Sequence, residues 1–254
     1  MDRRCFAMAA AGLGMSACLP QATTVAARPS PKGFQGFSSV ELAIATICAD
    51  GFANHHHQPA METIPKMGFS NVELNLWYAD QISTHYIKRL GERCRDAGLK
   101  PISLQGTSFG GEGRSGIIKD VSHKLLLIQH AHSMGCHLVK FTGSRRGTAG
   151  GLKTVIEVCK QIASTAEDLG VLVTLENHTG NVLETIEDYE QIFSEVDSPN
   201  VGLCLDTGHF EGSGIQLSQV VDRFADRILH VDLKDSKAFG KGHDTVVFGS
   251  GVTE

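Results

Sequence analysis

No two cysteines of this chain are spaced Cys-x-x-Cys, and the seven present, at positions 5, 18, 48, 94, 136, 159 and 204, are odd in number and widely scattered. That excludes a disulfide scaffold and leaves most of them as small buried apolar residues. Blocks of like charge are missing too. The formal net charge is −5 and the pI about 6.2; without a basic stripe to neutralise phosphates, a nucleic-acid partner is not expected. The mildly apolar run Ala7 to Leu19 is shorter than the roughly 20 residues a membrane span needs, so no stable span is expected. What is present is ordinary globular composition. A hydrophobic fraction of 41% over 254 residues can bury a full core and suits one large α/β barrel or two small domains.

The first residues read separately. Arg3-Arg4 and Phe6 precede the Ala- and Gly-rich run to Leu19, a charged start followed by a short apolar stretch, as in a targeting segment. The paired arginines resemble a twin-arginine export signal, and Met15-Ser16-Ala17-Cys18 is similar to a lipoprotein cleavage box that would anchor the chain at Cys18. Residues 1–35 are therefore expected to be an export or disordered segment, with a periplasmic mature protein. The alternative is a cytoplasmic protein with a disordered start. Residues 36–254 form the expected barrel domain.

From residue 41 short apolar runs alternate with amphipathic segments. Strands are predicted at Leu42–Ile47, Val72–Leu76, Pro101–Leu104, Leu138–Phe141, Leu172–Leu175, Gly202–Leu205 and Ile228–Val231, about thirty residues apart, one βα unit each. Leu152, Val155, Ile156, Cys159, Ile162, Ala163 and Ala166 recur with helical spacing and form one stripe for packing on a sheet. Residues 82–97, 116–134, 183–196 and 216–227 read as further helices. Nearly continuous apolar strands separated by helices imply a parallel sheet covered outside, and seven repeats favour a closed barrel. Gly110-Gly111-Glu112-Gly113 has no Walker-type lysine and reads as a flexible βα loop.

Functional residues of such barrels stand at the C-terminal strand ends. Strand five ends in Leu175-Glu176-Asn177-His178, strand six in Leu205-Asp206-Thr207-Gly208-His209, and strand seven carries His230-Val231-Asp232 before Lys234-Asp235-Ser236-Lys237. A carboxylate directly after an apolar run is costly to bury unless a cation or donor meets it. Glu176, Asp206 and His230 on consecutive strands therefore point to one divalent metal, with Mn²⁺, Mg²⁺, Co²⁺ or Zn²⁺ all compatible with mixed O/N ligation. Each has a plainer role: Asp206 as a helix N-cap, His230 as a core histidine, Glu176 paired with Lys140 or Arg145. His55-His56-His57 reads as a solvated loop.

These three motifs together closely resemble the sugar phosphate isomerase/epimerase family, the xylose-isomerase-like barrels that also include the endonuclease IV type. The resemblance runs from about residue 40 onward. It implies a (β/α)8-type TIM barrel and metal ligands from a Glu on strand five, an Asp on six, a His on seven and a Glu on eight; the first three match Glu176, Asp206 and His230. It further implies that Glu176 is ligand and acid/base at once, that His209 polarises a substrate carbonyl or hydroxyl, and that the product forms through a metal-stabilised enediolate. His178, Arg145, Lys234 and Lys237 would contact the substrate, a sugar, polyol or sugar acid. Arg146 is a further cation after strand four. A homo-oligomer is compatible with this class. Two departures stand out. The chain stops before an eighth strand, so the barrel is expected to be open, and Ser236 stands where epimerases carry an arginine. A non-catalytic sugar-binding barrel and, more remotely, an endonuclease IV-like phosphodiesterase are the alternatives. Strand ends three and four (Leu104-Gln105-Gly106 and Phe141-Thr142-Gly143) lack the histidines of the latter.

Overall fold

A computed structural model describes residues 40–52 and 56–253. The expected export segment, Cys5 and Cys18, and His55 lie outside these residues. Among the described residues no helix is long and apolar enough to cross a membrane.

Seven parallel strands form one sheet in sequence order: β1 (Ile44–Ala45), β2 (Asn71–Asn75), β3 (Lys100–Gln105), β4 (Leu138–Thr142), β5 (Leu172–Glu176), β6 (Val201–Asp206) and β7 (Ile228–Asp232). Helices α1 (Gln58–Thr63), α2 (Thr84–Asp96), α3 (Gly113–Met134), α4 (Gly151–Leu169), α5 (Ile186–Glu195), α6 (Thr207–Gly212) and α7 (Leu217–Phe224) lie between strands or between their short turns. Every predicted strand is present. Only the first shrinks, because Ile44 and Ala45 alone find partners, in Val72 and Glu73, and Val40 and Leu42 stay exposed.

The sheet is rolled. In a flat sheet β2 and β7, five places apart, would stand about 24 Å from one another at the usual strand spacing of about 4.8 Å. Instead Glu73 Oε2 on β2 lies 3.4 Å from His230 Nε2 on β7. The roll stays open, with β1 and β7 as its two edges. A short ribbon, Asp235–Ser236 against Thr245–Val246, pairs with itself and not with β1; among the described residues no eighth parallel strand follows.

Strand alternation divides the sheet into two unlike faces. Val72, Leu74, Leu104, Val139, Phe141, Val173, Leu175, Leu203 and Leu205 belong to the apolar core shared with Ile87, Leu90, Leu127, Val155, Ile162 and Ile192 of the helices. The alternate residues, Glu73, Asn75, Ser103, Lys140, Thr174, Glu176 and Asp206, are buried and polar. The strands are therefore alternating, not continuously apolar as read above. Cys94, Cys136 and Cys159 sit in the core as expected, whereas Cys48 is exposed.

The glycine loop after β3, read above as flexible, is closely packed. Residues 111–116 have G-x-G-x-x-G spacing, and their glycines serve close packing: a Cβ on Gly111 would stand 2.2 Å from the Gly116 carbonyl oxygen. The Gly110 and Gly111 N–H groups already donate to the Asp120 carboxylate, at 3.0 and 2.8 Å. His57, expected in solvent, is buried; its Nε2 lies 3.0 Å from the Asn75 carbonyl oxygen and its Nδ1 2.8 Å from the Tyr86 hydroxyl. It pins the end of β2 to α2.

Candidate functional site

Parallel strands all bring their C-terminal ends to one rim, and Glu176 and Asp206 are the last residues of β5 and β6. Asp206 is fully buried and starts α6, its Oδ1 accepting the His209 N–H at 3.0 Å. The N-cap and site roles thus coexist on two oxygens, because capping turns His209 back over the rim: His209 Nε2 lies 4.0 Å from Asp206 Oδ2. Asn177 locks β5 to β6 at this height by donating to the Asp206 carbonyl (3.0 Å) and accepting from the Asp206 N–H (2.7 Å). Glu176 is held from the other side. Gln105 Nε2 donates to Glu176 Oε2 at 3.0 Å, the Asn75 amide donates to Gln105, and Thr46 Oγ1 donates to Asn75 at 2.9 Å. One relay therefore ties the ends of β1, β2 and β3 to the carboxylate on β5.

The donor atoms of Glu176, Asp206 and His209 all lie within 4.8 Å of one another. Lys234 reaches this group from beyond β7; its ammonium contacts Asp206 and lies 4.0 Å from Glu176 Oε1. Its backbone is fixed by Thr207, whose hydroxyl accepts the Lys234 N–H at 2.8 Å and donates to the Lys234 carbonyl at 2.6 Å. His178 stands over His209 with ring centroids 3.8 Å apart, and His243 lies over the same ring at 4.1 Å.

His230 is placed differently from the expectation. Register pairs it with Cys204, two residues before the Asp206–Asp232 pair, so it lies a layer below the rim, grouped with Cys204 and Asp232. Its Nε2 is 3.3 Å from Asp232 Oδ1 and 3.4 Å from Glu73 Oε2. Lys140 occupies the middle of this lower layer, 2.8 Å from Glu73 Oε1, 2.5 Å from Asp232 Oδ2 and 3.7 Å from Glu176 Oε2.

Burial and neighbouring charge separate the protonation states of these groups. Burial lifts the Glu176 carboxyl to about 8, with the Asp232 and Asp206 charges adding to the rise and Lys140 and Lys234 opposing it. Burial likewise raises Asp206. Burial, Lys234 and the two neighbouring histidines lower His209 to about 2, so its imidazole is neutral. At His230 burial opposes the charge, but the Asp232 and Glu73 carboxylates outweigh it and lift the ring to about 9. Burial alone would raise Asp232; Lys140 and His230 reverse that and hold it low.

The other expected contacts lie away from the rim. Lys237 is exposed, paired with Asp244 at 3.0 Å. Arg145 is exposed and bridges Asn181 through its backbone, and Arg146 is spent on Glu184 and Asp188. Sequence reasoning missed Glu73, His243 and the central role of Lys140. The one available signal for Glu73 and Lys140 was a charged residue in the middle of an apolar strand, which must turn inward and find a counter-charge.

The donor chemistry fits a divalent cation. Four carboxylates (Glu73, Glu176, Asp206, Asp232) share the inner face with two lysines (Lys140, Lys234), and hard oxygen donors beside a neutral imidazole suit the divalent metals named above.

A rolled parallel sheet with acidic and imidazole groups at its C-terminal rim defines a class of barrel, and comparison with known proteins agrees. The family model for the xylose isomerase-like TIM barrel matches residues 61–254, and the chain belongs to that family. Inosose dehydratase of Clostridium beijerinckii is 31% identical over 86 residues, 34% of this chain and 29% of that protein. The matched stretch is thus under a third of the curated relative. Among solved structures, a D-tagatose 3-epimerase-like protein aligns with TM-score 0.68 at 18% identity, covering 84% of this chain and 82% of that one. The IOLI protein with a bound zinc atom aligns with TM-score 0.68 at 20% identity, covering 85% and 81%. At such identities these two establish the fold.

Proposed function

We propose that this protein is a metal-dependent enzyme acting on a sugar or polyol, and that its reaction begins with Glu176 moving a proton at a carbon beside a carbonyl. The observation that carries this is the placing of Glu176: a buried carboxyl at the rim, fixed by Gln105 and within 4.8 Å of the Asp206 and His209 donor atoms. Burial raises its affinity for a proton in the metal-free protein, and a carboxyl so held can both accept and return a proton. Glu176 and Asp206, with His209 as third donor, would hold the metal, which supplies positive charge to polarise substrate oxygens. Lys234 offers an ammonium to a substrate oxygen at the same rim, and His178 and His243 flank the His209 ring, whose Nδ1 faces Thr179.

Proton removal beside a carbonyl is the shared first step of two outcomes. Returning the proton elsewhere gives an isomer or epimer, as the name of the tagatose-epimerase-like neighbour suggests. Expelling a neighbouring hydroxyl gives dehydration, as the inosose dehydratase relatives suggest. The substrate class in this proposal is a free keto-sugar, polyol or sugar acid, because we also take residues 1–35 as an export segment. The experiment is deuterium wash-in: metal-loaded protein with a panel of ketoses and keto-polyols in D₂O, followed by proton NMR. Exchange at the carbon beside the carbonyl, lost in Glu176→Gln, is expected. Substrate turnover with no such exchange, or equal exchange in the variant, overturns the reading.

A further inference from the structure

We propose that Cys204, His230 and Asp232 form a second metal site, suited to a borderline-soft divalent ion such as Zn²⁺, next to the rim site and with its own ligands. The argument starts from the cysteine. Cys94, Cys136 and Cys159 are packed in the apolar shell between sheet and helices, whereas Cys204 is fully buried yet has no place in that cluster. It lies on the same face of β6 as Asp206 two residues on, and register sets it opposite His230 on β7. A thiol, an imidazole and a carboxylate thus converge in a polar interior, with donor atoms all within 4.8 Å of one another.

The spacing suits tetrahedral coordination. Metal–donor bonds of roughly 2.0–2.1 Å put nitrogen and oxygen ligands of one zinc about 3.3–3.4 Å apart. His230 Nε2 lies 3.3 Å from Asp232 Oδ1, and Glu73 Oε2 stands 3.4 Å from the same nitrogen as a carboxylate bordering the three-residue group. Lys140 divides the carboxylate oxygens in a way that favours this. It takes Glu73 Oε1 and Asp232 Oδ2, and the remaining oxygen of each faces His230. An ammonium on the outer oxygens orients ligating carboxylates, as a supporting layer does around metals generally. On binding, the thiol gives up its proton and the ring nitrogen its own, both to solvent, and the ion takes a sulfur, a nitrogen and oxygens without any change of oxidation state. A route for the ion exists because the His230 and Asp232 side chains keep 17% and 18% of their exposure.

The sulfur makes the site distinguishable. The whole chain, freed of metal, is titrated with Co²⁺ alone and followed by near-ultraviolet absorption, where a thiolate ligand gives a charge-transfer band and oxygen or imidazole ligands do not. The band should appear in the parent, persist in Glu176→Gln, which disables the rim site, and vanish in Cys204→Ala. His230→Gln should weaken it at least tenfold in Co²⁺ affinity. Zinc-loaded parent protein, which needs no variant to fold, should show a sulfur scatterer at about 2.3 Å by X-ray absorption. Co²⁺ binding without the band, a band that survives Cys204→Ala, or no binding at all overturns the proposal. A band that persists while substrate exchange fails would count against the proposed function alone.

Discussion

The two faces of the one rolled sheet are built from the same strands and do opposite things. Leu74, Phe141, Val173, Leu175 and Leu203 on the outer face bury apolar area against the helices, where stabilisation scales with the area removed from water. Glu73, Lys140, Glu176, His230 and Asp232 on the inner face are joined to one another across the roll, so each one's charge depends on the rest. The outer face supplies stability through closely packed apolar area. Its inner counterpart holds the paired charges, and strains whenever one partner is removed.

That contrast can be broken first at Lys140, where the largest effect is expected. Lys140→Met leaves the buried Glu73 and Asp232 carboxylates short of a cation and should cost about 3–5 kcal/mol in urea unfolding; a loss below about 1 kcal/mol would mean that the network does not act as a unit. On the outer face, Leu175→Ala opens a cavity at a fully buried position and should cost about 2–5 kcal/mol, with catalytic activity per folded molecule unchanged. Glu176→Gln should do the reverse: activity falls at least ~10²-fold, typical of one acid/base group, while the far-ultraviolet circular dichroism stays that of the parent.

A finer test uses pH. Glu176 has its carboxyl raised from 4.5 to about 8 in the folded protein, so the folded state holds this proton more tightly than the unfolded chain. Its contribution is fully present below pH 4.5 and is lost as pH rises toward 8. Melting temperatures of metal-free protein should therefore fall over that range, and less steeply in Glu176→Gln; parallel curves would show that the carboxyl is not protonated in the folded state. The smallest effect is expected outside both faces. Lys237 pairs with Asp244 in solvent, with side chains 65% and 64% exposed, and Lys237→Ala should shift stability by under about 1 kcal/mol. A larger shift would mean that this pair is not simply a surface one.

Much of this was legible in the residues, and the omissions have physical causes. Predicted strands and helices match because a period of two or of 3.6 is a local property of the chain, and α4 from Gly151 to Leu169 follows the stripe that begins at Leu152. The shortening of β1 was not legible, because strand length at an edge depends on how many residues find a partner. Glu176 and Asp206 were visible as carboxylates closing apolar runs. The grouping of His209 with them came from the N-cap geometry of α6, and the placing of His230 with Cys204 from strand register.

By itself, then, the sequence determined which segments become strands and helices, that the strands run parallel, and which carboxylates stand at the rim, since each follows from local periodicity and the position of charge along a run. Tertiary structure alone decided which charges meet. Lys140 and Asp232 are 92 residues apart, and no spacing along the chain records their contact. It exists because the twist of seven strands rolls β4 and β7 toward a common interior, where a low dielectric forces every buried charge onto a partner.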